Sequence, residues 1–103
     1  MKIYISGGIT NVPDYSKHFA MADARLRSEG HEPINPAAIG ESLQSLIPFE
    51  LEYDDYMAVD EILLRMCDGI YMLKGYEHSA GALHELMLAT RFGKEILYEE
   101  VLP

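Results

Sequence analysis

The sequence predicts an α/β domain built on a parallel sheet with helices on both faces. Three observations predict it. Short β-prone apolar runs alternate with longer stretches carrying apolar residues at helical spacing, the pattern of a parallel sheet with right-handed crossovers. Gly30, Gly69 and Gly93 fall where each helical stretch should stop. No internal repeat, low-complexity tract or linker divides the 103 residues, so residues 1–103 are expected to form one domain.

Residues 3–6 are apolar and halted by Gly7–Gly8, which reads as a buried first strand and a tight loop. Pro13 suits the first turn of the helix that follows. Tyr15, Phe19, Ala22 and Leu26 make one apolar stripe along it. Residues 32–35 form a weak second strand whose Pro33 suggests an edge position. Residues 36–48 read as a long connection with a short apolar segment, and loops of this length are often functional. Residues 49–66 read as a second helix with Tyr56, Val59, Leu63 and Met66 as its apolar stripe. Residues 70–73 are a fully apolar third strand, 74–78 a polar loop, and 79–92 a third helix with Ser79 as N-cap. Residues 96–98 are the fourth strand, giving the order βαβαβαβ. Ligands in such sheets bind beyond the carboxyl ends of the strands. The first loop, the 35–48 connection and the 74–79 loop share that edge.

Composition narrows the function. Hydrophobic residues make up 49% and charged residues 24%, as in an ordinary globular protein. Eight basic against 17 acidic side chains give a net charge of −9. No basic stripe exists to displace counterions, so a nucleic-acid polymer is not the expected partner. The acidic clusters, Glu50 to Asp55 and Glu95 to Glu100, read as solvated faces. A small phosphate held by backbone N–H groups stays compatible with that charge. Cys67 stands alone, which rules out an intrachain disulfide and fits a reducing compartment. Neither a signal peptide nor a membrane-spanning run is legible, so a cytoplasmic protein without membrane contact is expected.

Two elements carry candidate chemistry. In Ser6-Gly7-Gly8-Ile9-Thr10-Asn11, two glycines either let a ligand approach the backbone closely or simply make a tight turn. Neither a dinucleotide fingerprint nor a P-loop is present. In Ser79-Ala80-Gly81-Ala82-Leu83-His84-Glu85, a glycine in the first helical turn and free N–H groups suit an anion. Glu85 lies six residues after Ser79, near a full second turn, and can look toward the same crevice, although taken by itself it reads as a solvated helix residue. Asp60 lies between Val59 and Glu61, and its position alone does not say whether it faces solvent or the crevice. Two carboxylates beside a sugar have a rationale: one attacks or stabilises the anomeric carbon while another acid helps protonate the departing base. His18, His31, His78 and His84 show no metal spacing, so neither a metal nor a cofactor is expected. A base-binding role stays open for His78 and His84.

Together, Tyr4-x-x-Gly7-Gly8-Ile9, Asp60 eight residues before Asp68, and Ser79-x-Gly81-x-x-x-Glu85 resemble the nucleoside 2-deoxyribosyltransferase superfamily. That superfamily includes the transferases proper and the 2'-deoxynucleoside 5'-phosphate N-hydrolases. The chain is most similar to the small DUF4406-type branch. The resemblance implies a flavodoxin-like three-layer sandwich with a four- or five-stranded parallel sheet. It implies Glu85 as the nucleophile, Asp60 as an acidic partner in proton transfer or sugar binding, and Tyr4 as the residue positioning the nucleophile. Gly7, Gly8, Ile9, Ser79 and Gly81 match positions that hold the 5' end of the substrate. The serine points to a nucleoside 5'-monophosphate cleaved with water as acceptor. In the first loop, however, the hydrolases carry a serine and an arginine where this chain has Gly8 and Thr10. A homodimer or higher homo-oligomer is also implied, with the second and third helices as the surface considered. Base transfer between nucleosides and a non-catalytic nucleotide-binding module are the alternatives.

Overall fold

The computed structural model describes residues 1–99. Four parallel strands form one sheet in the order β2-β1-β3-β4: β1 Lys2–Ser6, β2 Glu32–Ile34, β3 Gly69–Met72 and β4 Glu95–Tyr98. This is a flavodoxin-like order, with the direction of strand addition reversing beside β1. Helices α1 Tyr15–Ser28, α2 Pro36–Leu46, α3 Tyr53–Arg65 and α4 Ala80–Arg91 complete the fold, with a short 3-10 turn at Tyr76–His78. Pro33 sits on an edge strand, paired opposite Ile3, as its missing N–H requires.

The pleat sorts the core into two layers. Ile3 and Ile5 pack with Phe19, Ala22 and Leu26 of α1, and with Tyr71 and Leu73. Tyr4, Ile70 and Met72 point the other way, onto Leu64, Cys67, Ala82, Leu88 and Ala89. Alternate residues of a strand face opposite sides. Tyr4 and Ser6 therefore share the face that α4 covers, where both reach Glu85.

Residues 36–46 are a helix rather than a loop. Asn35 caps α2 by accepting a hydrogen bond from Ala38 N at 3.1 Å, and Pro36 occupies the first turn, an Asn-Pro start favoured because proline has no N–H to leave unpaired. The element order is thus βαβααβαβ. Gly40, inside α2, faces the Tyr56 ring, 3.4 Å from where a Cβ would stand. The glycine lets α2 and α3 approach one another.

Helix α3 begins at Tyr53, later than residue 49, behind a capping box formed by Glu52 and Asp55. Its buried residue is Leu64, whereas Met66 is 59% exposed. The expected stripe was phased one residue off, because Leu63 and Leu64 are adjacent and equally apolar. Helix α1 also starts later than Pro13 suggested. Asn11 and Asp14, both at positive φ near 60°, turn the chain into it.

Cys67 is buried, and Glu50, Glu52, Asp54, Asp55 and Glu95 are exposed. Glu99 accepts from Lys74 N at 2.8 Å, and Glu100 lies outside the described residues. No helix among the described residues is long and apolar enough to cross a membrane.

Candidate functional site

Beyond the carboxyl ends of β1 and β3 opens a cleft of about 900 Å³. Glu85 forms its floor and is only 6% exposed. On α4 it shares the inward face with Ala82, Leu88 and Ala89, the stripe generated by three- and four-residue spacing. Its carboxyl group is gripped by β1: Tyr4 Oη donates to Oε2 at 2.5 Å and Ser6 Oγ donates to Oε1 at 2.7 Å. Tyr4 and Ser6 are themselves fully buried. Ser6 was not picked out from the sequence as a site residue. The available signal was its place two residues after Tyr4, on the same side of the strand.

Asp60 enters from α3, one turn before the buried Leu64, and lines the same cleft. It faces inward rather than joining Glu61 on the outer surface. Burial raises its carboxyl from 3.8 to about 6, while hydrogen bonding with Glu85 and Tyr4 opposes the rise. Burial likewise raises Glu85 from 4.5 to about 7; the Tyr4 and Ser6 hydroxyls oppose it, and the charge of Asp60 adds to it. Two carboxyls this close in a dry site share a proton near neutrality. Both oxygens of Glu85 already accept from hydroxyls, and an ionised carboxylate is the better acceptor. The pair therefore holds one proton between them, and in the form with the charge on Glu85 the two hydroxyl donors keep their acceptors while the proton lies on Asp60. Tyr4 is pushed well above 10, first by burial and then by the two carboxylates, so it remains a donor.

The other residues singled out from the sequence separate into two groups. Gly7, Ile9, Ser79 and Gly81 line the cleft. Ser79 also caps α4, its Oγ accepting from Ala82 N at 3.1 Å. Gly8 and Tyr4 stand behind the lining. Gly7 is glycine for a packing reason, since an added Cβ would lie 2.9 Å from the Leu73 Cβ. At Gly8 the same atom would come within 3.1 Å of Val12. Both glycines let the first loop pack closely on its neighbours. Gly81 has more room, its nearest neighbour being the Tyr53 hydroxyl at 3.4 Å. His78 lines the rim, whereas His84 is exposed and does not reach the cleft.

The far wall includes the 35–48 segment expected at this edge, but none of that segment's residues was singled out from the sequence as a site residue. It comes from α2, the start of α1 and the start of α3, and includes Tyr15, Glu41, Gln44, Tyr53 and Tyr56. Gln44 stitches the α2–α3 connection in place: its Nε2 donates to Phe49 O, while its Oε1 accepts from Leu51 N and the Tyr56 hydroxyl. No Lys or Arg is among the lining residues. Among the described residues, no group of three or more His, Cys, Asp or Glu is placed to hold a metal ion.

Comparison with known families gives one match: residues 1–98 fit the domain of unknown function DUF4406. The chain belongs to the DUF4406 family. No curated protein sequence matches it. Among solved structures, this DUF4406 domain is similar to a 2-deoxyribosyltransferase from Bacillus psychrosaccharolyticus, with a TM-score of 0.68 and 21% identity over 100% of this chain and 77% of that one. It is similar also to a 2-deoxyribosyltransferase from Leishmania mexicana, with a TM-score of 0.68 and 20% identity over 94% of this chain. The DUF4406 chain spans 62% of that second structure's length. What is shared at this identity is the fold.

Proposed function

We propose that this protein cleaves the N-glycosidic bond of a nucleoside or its 5'-monophosphate, with Glu85 as nucleophile and release of the free base. The observation that carries the reading is the buried Glu85 carboxyl, gripped by Tyr4 and Ser6 beside the Asp60 carboxyl, itself raised by burial, at the floor of an open cleft. A binding module has no use for two carboxyls held desolvated together, an arrangement that costs stability. A nucleophile paired with an acid does have that use.

In the reaction, a Glu85 oxygen attacks the anomeric carbon as the bond from that carbon to the base nitrogen breaks. Asp60 supplies the proton that the departing base takes up. Water then attacks the glycosyl–Glu85 ester, frees Glu85 and returns a proton to Asp60; a second base in place of water gives transfer. The two solved proteins that share the fold are both 2-deoxyribosyltransferases, one described as a biocatalyst for nucleoside synthesis, which agrees with this substrate class.

The free N–H groups at the start of α4, beside Ser79, favour a 5'-monophosphate. A lining that holds Glu41, Asp60 and Glu85 but neither Lys nor Arg favours the uncharged nucleoside and base transfer. The deciding experiment incubates the protein with ribo- and deoxyribonucleosides and their 5'-monophosphates, with and without a second base, and separates the products by chromatography. Free base or an exchanged nucleoside is the expected product. Tight nucleotide binding with no product under any condition would establish the binding module instead.

A homodimer is part of this proposal. Ile62 and Met66 of α3 and Leu83 and Met87 of α4 are exposed on two helices that pack together, an apolar surface that a second copy can bury. Leu83→Arg is expected to convert a dimer to a monomer in sedimentation without lowering the melting temperature by more than a few degrees. A native protein that sediments as a monomer would remove this part of the reading.

A further inference from the structure

The wall of the cleft away from Glu85 carries a carboxylate that the reaction above does not use. Glu41 lines the cleft from α2. It receives hydrogen bonds from Tyr15 Oη at 3.0 Å and Ser16 Oγ at 2.8 Å, and both end on Oε1. The Tyr15 hydroxyl is held as a donor, its pKa raised chiefly by this bond to Glu41. None of the described residues donates to Oε2. No Lys or Arg among the lining residues neutralises the group. One oxygen is therefore fixed by two hydroxyls, and the other keeps its full capacity to accept. That arrangement holds this exposed carboxylate in one orientation and leaves Oε2 to accept from a ligand in the cleft.

Its place in the fold says which part of a ligand it meets. Helix α2 follows β2 and α4 follows β3, with β1 between those strands. Helix α2 packs on α1, α3 and β1, with its Ala37 in the core layer of α1, while α4 packs on α3 and the sheet, with Ala82, Leu88 and Ala89 in the opposite layer. Glu85 and Glu41 thus belong to different walls. In a displacement at the anomeric carbon, the leaving group departs from the face opposite the attacking carboxylate. With Glu85 attacking from α4, the base lies toward α2.

We propose that Glu41 is a specificity-determining residue that accepts a hydrogen bond from an exocyclic amino group of the base. Adenine- and cytosine-type bases are then taken in preference to their hypoxanthine- and uracil-type counterparts. The amino group gives Oε2 the donor it lacks. A carbonyl at the same place sets two acceptors against each other and leaves the carboxylate unpaired. The proposal rests on the glycosidase reading for the orientation of the ligand, but its recognition chemistry can be tested without turnover.

The test compares kcat/KM for matched pairs, adenosine-type against inosine-type and cytidine-type against uridine-type, in native protein and in Glu41→Gln. A native preference for the amino member on the order of tenfold is expected, shrinking to within about twofold in the variant. A glutamine amide both donates and accepts, so it no longer rejects the carbonyl. Glu41 is exposed, so the variant should fold, and a loss of rate shared equally by both members would mark a merely structural role. Calorimetry with the free bases runs in parallel. Adenine should bind native protein more tightly than hypoxanthine, and Glu41→Gln should lose affinity for adenine alone. If no substrate releases base, the glycosidase reading has failed and the calorimetry still decides on Glu41. A native preference for the carbonyl member, or a preference that Glu41→Gln leaves unchanged in both assays, overturns the proposal.

Discussion

Glu85→Gln is expected to abolish base release and, at the same time, to make the protein harder to unfold above neutral pH. A glutamine keeps the shape but cannot attack the anomeric carbon, so the rate should fall on the order of 10⁴-fold or more. The stability effect follows from the raised carboxyl. Its folded value, about 7 against a usual 4.5, means that the folded state binds the proton more tightly than the unfolded one. The stabilisation is fully present below about pH 4.5 and is lost as pH rises through about 7. At about pH 8 the native protein holds a desolvated charge that costs roughly 3 kcal/mol by linkage. The variant escapes that cost. It gives up about 1 kcal/mol, because an amide offers one acceptor oxygen to two hydroxyl donors, Tyr4 and Ser6, and one of them loses its partner. Thermal melts of both proteins at about pH 5 and pH 8 should show the variant gaining on the native protein by several degrees across that range. A gap that does not change with pH would mean that Glu85 is solvated enough to ionise freely. Undiminished base release by the variant would remove it as nucleophile.

How much of this was legible in the sequence depended on which period governed each residue. The strands and the parallel character of the sheet were readable because short apolar runs, buried on both faces in β1 and β3, and glycine stops act locally. Glu85 looked solvated when taken alone, yet it stands three residues after Ala82 and three before Leu88, both buried. The helical period thus carried the signal, which a glance at one residue did not use. Asp60 was ambiguous for a sharper reason. With Leu63 and Leu64 side by side, two phases of the α3 stripe were equally apolar, and only contact with the sheet selects the one containing Asp60 and Leu64. Helix α2 was hidden by Pro36, Gly40 and Pro48, residues that usually break structure. Here the first starts the helix and the second makes room for Tyr56. The wall bearing Glu41 and Gln44 was lost with it. Gly7 was legible as a glycine but not for its reason, since Leu73, far along the chain, is what crowds it.

Asp60→Asn is expected to cost about 10²- to 10³-fold in rate on ordinary substrates and to change the shape of the pH profile. In the native protein the active form carries a single proton across the pair, with the charge on Glu85. Below the first ionisation both carboxyls are protonated and Glu85 cannot attack; above the second, no proton is left for the departing base. Rate against pH should therefore be bell-shaped, with limbs that belong to the pair and an optimum in the range to which burial has raised both groups, about 6 to 7. Asparagine removes the donor, so the descending limb should vanish and leave one ascending limb set by Glu85. A substrate whose base departs without needing a proton separates this role from sugar binding. A 7-methylated purine nucleoside already carries positive charge on the base, which leaves as a neutral molecule, so Asp60→Asn should lose less than about tenfold on it. An equal loss on methylated and unmethylated substrates, with the descending limb intact, would assign Asp60 to holding the sugar and would leave protonation of the base to water or to a group on the far wall.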